Sequence, residues 1–245
     1  MSRLVYGVRP VGELLRRRAG EVQNLWLAAE RNAGAEAIQA LRVTAEGRGV
    51  AVHLVPGEQL DALCPGESHQ GVAAVVGDYV YVELEELAPL DSARAPLIVA
   101  VDGVTDPQNL GAMFRAASVL GATGMVLTKD RCANVSPLVV RVSSGATEHL
   151  PCARVTNLSR ALEQLKERGV WVAGTVERGG KAPAEVDLAG PLALVLGSEQ
   201  RGLRPGVAKA CDYLLTIPTP GPIAALNVAS ATAVLVYEAT RQRRA

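Results

Sequence analysis

From Pro96 onward five short apolar runs recur, each set apart from the next by helical or turn-forming sequence. They are LIVAV (97–101), GMVLT (124–128), VWVAG (170–174), LALVLG (192–197) and YLLTIP (213–218). Runs of this length and character read as strands buried in a sheet. Helical spacing fills 110–120, 136–146 and 157–168. Ser136 stands where a helix cap is expected, Pro137 at the first helical position and Gly169 at the end of the third helix. Strands alternating with helices predict an α/β fold with a mostly parallel sheet covered on both faces, whose ligands bind beyond the carboxyl ends of the strands. The last segment, AALNVASATAVLVYEATRQRR, is free of proline and apolar on more than one face. It reads as a deeply packed C-terminal helix with a basic tail.

Upstream, LWLAA (25–29), a helical stretch at 35–45, VAVHLV (50–55) and GVAAVV (71–76) predict a smaller α/β unit. The stretch 79–96 is acidic and bounded by proline. The expected boundaries are therefore a first domain over 1–76, a linker over 77–95 and a second domain over 96–245. The chain has 245 residues, 49% of them hydrophobic, which is ample for two cores. Its zero net charge conceals an uneven distribution: residues 77–95 carry five acids and one arginine, whereas 96–245 carry sixteen basic and twelve acidic groups. That leaves a nucleic-acid partner open for the second domain. Aromatics are only 3% of the chain, which argues against RNA recognition by many stacked rings. Cys64, Cys132, Cys152 and Cys211 lack metal-ligand spacing and, with three scattered histidines, predict reduced thiols and no metal site. No apolar run approaches a membrane span of about 18 residues, and the arginine-rich N-terminus lacks a signal core, so a cytoplasmic protein without a membrane partner is expected. The Arg16–Arg18 run reads as an RNA contact or as a solvated helix end.

Three loops follow predicted strands and carry the polar groups: DGVTDPQNLGAMFRAA (102–117), GSEQRG (197–202) and IPTPGPIAALN (217–227). By the carboxyl-end rule they converge. None is a GxGxxG or GxxxxGK[ST] phosphate loop, no Ser-His-Asp set lies in them, and Glu199 has no partner acid, so dinucleotide, nucleoside-triphosphate, serine-hydrolase and glycosidase readings lose support. Taken singly, the same residues have plain structural uses. Asp102 or Asn109 suits the cap of the next helix, Asn227 the cap of the last, and Gly111 and Gly197 tight turns.

In that order, the three loops resemble the signature motifs of the SpoU-type RNA ribose methyltransferases of the SPOUT superfamily. YGVRPVGELL (6–15) and HQGVAAVV (69–76) are similar to the N-terminal substrate RNA-binding domain of bacterial 23S rRNA guanosine 2′-O-methyltransferases, especially those that modify the peptidyl-transferase P loop. The resemblance runs nearly end to end. It implies a C-terminal SPOUT α/β knot, a deep trefoil knot with a mostly parallel sheet, and a smaller N-terminal domain resembling ribosomal protein L30e. It implies S-adenosylmethionine as cofactor, large-subunit rRNA as partner, and a homodimer through the C-terminal domain. The same reaction on tRNA or another rRNA site, and a noncatalytic RNA-binding or ribosome-assembly factor, are the alternatives.

The implied reaction is in-line displacement at a sulfonium methyl by a ribose 2′-oxygen, so the site must stabilise a developing oxyanion. The resemblance makes Arg115 catalytic. A guanidinium hardly gives up its proton, so Arg115 is expected to grip a phosphate and acidify the hydroxyl, the proton leaving to phosphate or water. Asn109 is expected to hold Arg115 or the ribose, Glu199 to orient Arg115, and Asn227 to fix loop geometry or touch substrate. Gly197, Ile217 and Leu226 are expected to bind the adenosine part through backbone groups. The tail arginines Arg241, Arg243 and Arg244 are candidates for phosphate contact. Ala225 stands where the family usually has serine, so either activity is reduced or that hydroxyl's role passes to Ser230 or Thr219.

Overall fold

The computed structural model describes residues 2–32, 36–90, 95–222 and 225–244. In chain order the elements are β1 (Ser2–Tyr6), α1 (Val8–Arg18), β2 (Val22–Ala28), α2 (Ala29–Asn32), α3 (Glu36–Glu46), β3 (Val52–Val55), α4 (Gly57–Leu63), β4 (Val72–Gly77), β5 (Leu97–Asp102), α5 (Pro107–Leu120), β6 (Gly124–Thr128), α6 (Pro137–Val142), β7 (Cys152–Val155), α7 (Leu158–Glu167), β8 (Trp171–Thr175), β9 (Leu192–Gly197), α8 (Pro205–Ala210), β10 (Tyr213–Leu215) and α9 (Val228–Gln242). They fall into two compact units. The first comprises residues 1–80 and 135–149, and the second 81–134 and 150–245.

The first unit holds a four-stranded sheet in the order β1-β4-β2-β3, in which β4 runs antiparallel to both neighbours and β2 pairs β3 in parallel. Val5, Leu14, Leu15, Leu25, Leu27, Ile38 and Leu60 form its dry interior. The stretch 135–149, counted by sequence with the second domain, belongs here by its packing. Glu148 is the reason. Its carboxylate is fully buried and accepts from Arg3 Nη2 at 2.9 Å, with Arg18 Nε at 3.8 Å. Glu13 bonds His149 at 2.7 Å and Glu67 bonds Arg141 at 2.7 Å. A buried carboxylate without such partners would cost several kcal/mol, roughly 3–5 when one partner is deleted. Arg16 and Arg18 pair with Glu13 and Glu21, so two of the three arginines at the end of α1 are engaged within the unit.

The second unit holds a six-stranded sheet in the order β10-β8-β9-β5-β6-β7, parallel at every pairing. β5 and β9 sit at the centre and, apart from Gly197 at the end of β9, are buried throughout, which is why they read as unbroken apolar runs. α5 and α9 pack against one another. Ser136 caps α6 as expected, but α5 is capped by Asp106, whose Oδ1 accepts from Gln108 N at 2.9 Å, and not by Asp102 or Asn109. Arg243 is a clamp, donating to the carbonyls of Ala95, Pro96 and Gly190, and Arg241 pairs with Glu238. Among the tail arginines expected on phosphates, these two are taken up within the chain. No described helix is long and apolar enough to cross a membrane.

All four cysteines are free. Burial pushes the Cys132 and Cys211 thiols up to about 11 and the Cys152 thiol, in β7, higher still, because a buried thiolate would lose its hydration. At pH 8 a thiol of pKa near 11 is ionised in only about one molecule in a thousand. Iodoacetamide at pH 8 should therefore leave these three thiols unmodified in the folded protein and alkylate all of them in denaturant. Fast alkylation of the native chain, read by peptide mass, would refute the burial.

Candidate active site

Parallel pairing brings the carboxyl ends of β5 and β9 side by side, with Asp102 opposite Gly197. Asp102 is buried and accepts from Arg204 N at 2.8 Å and Arg204 Nε at 2.6 Å. This ties the loop after β9 to the end of β5. The sequence suggests Asp102 only as a helix cap, and a charged residue closing an otherwise apolar strand is the one signal in it for more.

The loop after β9 folds back tightly. Gly202 N donates to Ser198 O at 2.8 Å, and the backbone of Gly202 lies directly against Gly197. This loop, Ser198–Gly202, is a wall shared by two cavities. One, of about 400 Å³, is lined on its far side by Gly103–Asp106, Asn109, Arg131 and Arg204. The other, of about 450 Å³, is lined by Thr175, Leu196, Gly197, Leu215, Ile217, Thr219, Ala225 and Leu226, among others. Gly197, Ile217 and Leu226, the expected cofactor residues, thus share one cavity, the more aliphatic of the two by its lining residues and in the size range of a nucleoside-like ligand.

Asn227 joins the three loops. Its Oδ1 caps α9, accepting from Ala229 N at 2.9 Å and Ser230 N at 3.4 Å. Its Nδ2 donates to Glu199 Oε1 at 2.7 Å and to Asn109 Oδ1 at 2.8 Å. Glu199 Oε1 also accepts from Val228 N at 3.1 Å, where the positive end of α9 favours a carboxylate. The expected cap of α9 is present, and the same amide ties a carboxylate to a second amide.

Arg115 is not in this cluster. It is exposed on α5 and lines neither cavity, and no described residue of the chain bonds it. The expectation that Asn109 or Glu199 holds Arg115 within the chain is corrected by helix geometry. Six residues separate Asn109 from Arg115, about 9 Å along the axis and roughly a third of a turn out of phase. Both Asn109 and Glu199 are spent on Asn227.

Three signature loops meet in one place, in the order the motifs require, and known proteins show the same pattern. The SpoU rRNA methylase family matches residues 96–237, and the family of RNA 2′-O-ribose methyltransferase substrate-binding domains matches residues 4–82. The chain belongs to the SpoU rRNA methylase family. A SpoU relative from Pseudomonas syringae pv. tomato, the 23S rRNA (guanosine-2′-O-)-methyltransferase RlmB, is 41% identical over 100% of this chain and 98% of its own length. An uncharacterised tRNA/rRNA methyltransferase of Synechocystis sp. is 45% identical over 82% of this chain, which spans 53% of that longer protein. Among solved structures, the SpoU methyltransferase AviRb of Streptomyces viridochromogenes in complex with AdoMet superposes with a TM-score of 0.83 at 28% identity, covering 100% of this chain and 91% of that one.

Proposed function

We propose that the chain transfers a methyl group from S-adenosylmethionine to the 2′-hydroxyl of a guanosine in 23S rRNA, with the peptidyl-transferase loop as its address. The observation that carries this reading is the shared wall: two cavities, one lined mainly by charged and amide residues and the other by more aliphatic residues, meet at a loop whose Glu199 is fixed by Asn227 and Val228. A ligand in each would bring two reactants together with little motion of the protein. Relatives named as 23S rRNA (guanosine-2′-O-)-methyltransferases, alike over almost their whole length, support the substrate.

S-adenosylmethionine supplies an electrophilic methyl group. The more aliphatic cavity takes the adenosine part, with Gly197, Ile217 and Leu226 offering backbone groups to the adenine edge. Glu199, Asn109 and Asn227 orient the nucleotide entering from the more charged cavity. Ala225 lines the more aliphatic cavity without a hydroxyl, and Thr219 lines it too. Arg115 acidifies the 2′-hydroxyl by holding an adjacent phosphate. The enzyme acts as a homodimer in which a second copy covers the α5–α9 face. Val119, Val234 and Tyr237 on those helices are 76%, 41% and 59% exposed, and a second copy on this face would cover them. Arg115 emerges from the same helix pair, so it meets a cavity of the other copy.

The deciding experiment is transfer of labelled methyl onto a 23S rRNA transcript, followed by mapping of the modified nucleotide. One guanosine 2′-O-methyl in the peptidyl-transferase loop is expected. A methylated base, or transfer to tRNA alone, would overturn the assignment. No heat on titration with S-adenosylmethionine would indicate a noncatalytic factor.

A further inference from the structure

The parallel sheet places the ends of β6 and β7 on the same edge as the active site, one and two strands beyond β5. Four cations stand there: Lys129 and Arg131 after β6, Arg154 in β7 and Arg160 in the first turn of α7. None has a carboxylate within salt-bridge distance among the described residues. Arg131 lines the more charged cavity beside Asn109, while Arg154 and Arg160 line a separate cavity of about 320 Å³ further along the edge.

Arg131 and Arg154 are held in place. Arg131 has φ +58°, a left-handed conformation uncommon for a side chain of this size. Its loop is fixed on both sides by Ala133 N to Val104 O at 2.9 Å and Lys129 N to Val155 O at 2.8 Å. Arg154 lies over the Tyr81 ring at 5.5 Å and donates Nη2 to Lys129 O at 3.2 Å. Its Nε is a buried donor without an acceptor. Strain of this kind clusters at ligand-binding sites, and a bound ligand is one explanation of an unmet donor. The acids nearby are Asp130, Glu83 and Glu85 and, in the cavity Arg131 lines, Asp102, Asp106 and Glu199; Glu83 caps a short helix at 84–87, Asp102 is held by Arg204, Asp106 caps α5 and Glu199 is held by Asn227 and Val228.

We infer that Lys129, Arg131, Arg154 and Arg160 form a track for the sugar–phosphate backbone of the RNA on one side of the target ribose. The strand leaves the more charged cavity past Arg131 and lies along the sheet edge to the cavity at Arg154. The occupant is RNA because the track begins at the cavity assigned to the nucleotide, so the inference rests on the proposed function. Each strand is about 4.8 Å from the next, so the path from β5 to β7 is about 10 Å, a length that one or two nucleotides span.

The test uses the full chain carrying Arg131→Ala and Arg160→Ala, singly and together, and a labelled 23S rRNA transcript at several salt concentrations. The double variant should bind RNA about tenfold more weakly, and its log–log salt slope should fall by about 0.7 for each single-strand phosphate that the protein no longer neutralises. Calorimetric affinity for S-adenosylmethionine should stay at the wild-type value, which reports an intact fold. KM for RNA should rise in step with the loss of affinity. Unchanged RNA affinity and salt slope in the double variant, beside a wild type that methylates ribose, would overturn the track and leave the proposed function standing. A wild type that methylates no ribose would remove the function first.

Discussion

Gly197→Ala should abolish cofactor binding, while Gly202→Ala, five residues on in the same loop, should only weaken it. A Cβ on Gly197 would meet the Gly202 carbonyl carbon at 2.2 Å, its oxygen at 2.4 Å and Leu203 N at 2.5 Å. All three are backbone atoms, so no side chain can swing away. The loop would have to lift off the end of β9, and with it the wall between the two cavities. A Cβ on Gly202 meets nothing within 4 Å, and its cost is only the left-handed φ of +63°. That penalty is about 1–2 kcal/mol. For Gly197→Ala the affinity for S-adenosylmethionine should fall at least about 100-fold, or about 2.8 kcal/mol. Gly202→Ala should weaken binding roughly tenfold or a little more. Calorimetric titration of both variants measures the contrast, and equal affinities would mean that the loop does not lie across the strand end.

The second unit was legible in the sequence because its strands are buried on both faces, so LIVAV and LALVLG had nothing but apolar residues to show. β7 escaped because it is four residues long and contains Arg154, whose guanidinium leaves the sheet over Tyr81. The placement of 135–149 escaped because it depends on ion pairs such as Arg3–Glu148, spanning 145 positions, and no local pattern encodes a partner that distant. At the site, convergence of the three loops followed from the carboxyl-end rule, and it holds. The bonds within the cluster did not follow. Asn109, Glu199 and Asn227 bind one another because a short amide can satisfy a cap and a carboxylate at once, whereas the direction of Arg115 is fixed by the phase of α5.

That phase leads to the expectation with the sharpest outcome. Arg115→Ala should lose roughly 10²–10³-fold in turnover, the scale for removing one group that stabilises developing charge, and Glu199→Gln should be severely impaired because it breaks the anchor that Asn227 and Val228 hold. S-adenosylmethionine should still bind to Arg115→Ala, since Arg115 lines neither cavity. Mixed in equal amounts and allowed to exchange subunits, the two inactive proteins should recover about a quarter of wild-type activity in a two-fold dimer. Half the dimers are then mixed, and in each of these one site draws Glu199 from the Arg115→Ala chain and Arg115 from the Glu199→Gln chain. Its other site lacks both. If Arg115 instead served the cavity of its own chain, every site in the mixture would lack one group and nothing would be restored. Exchange is verified by native mass spectrometry of differently tagged chains. Full exchange without recovered methyl transfer would place Arg115 with its own chain's cavity.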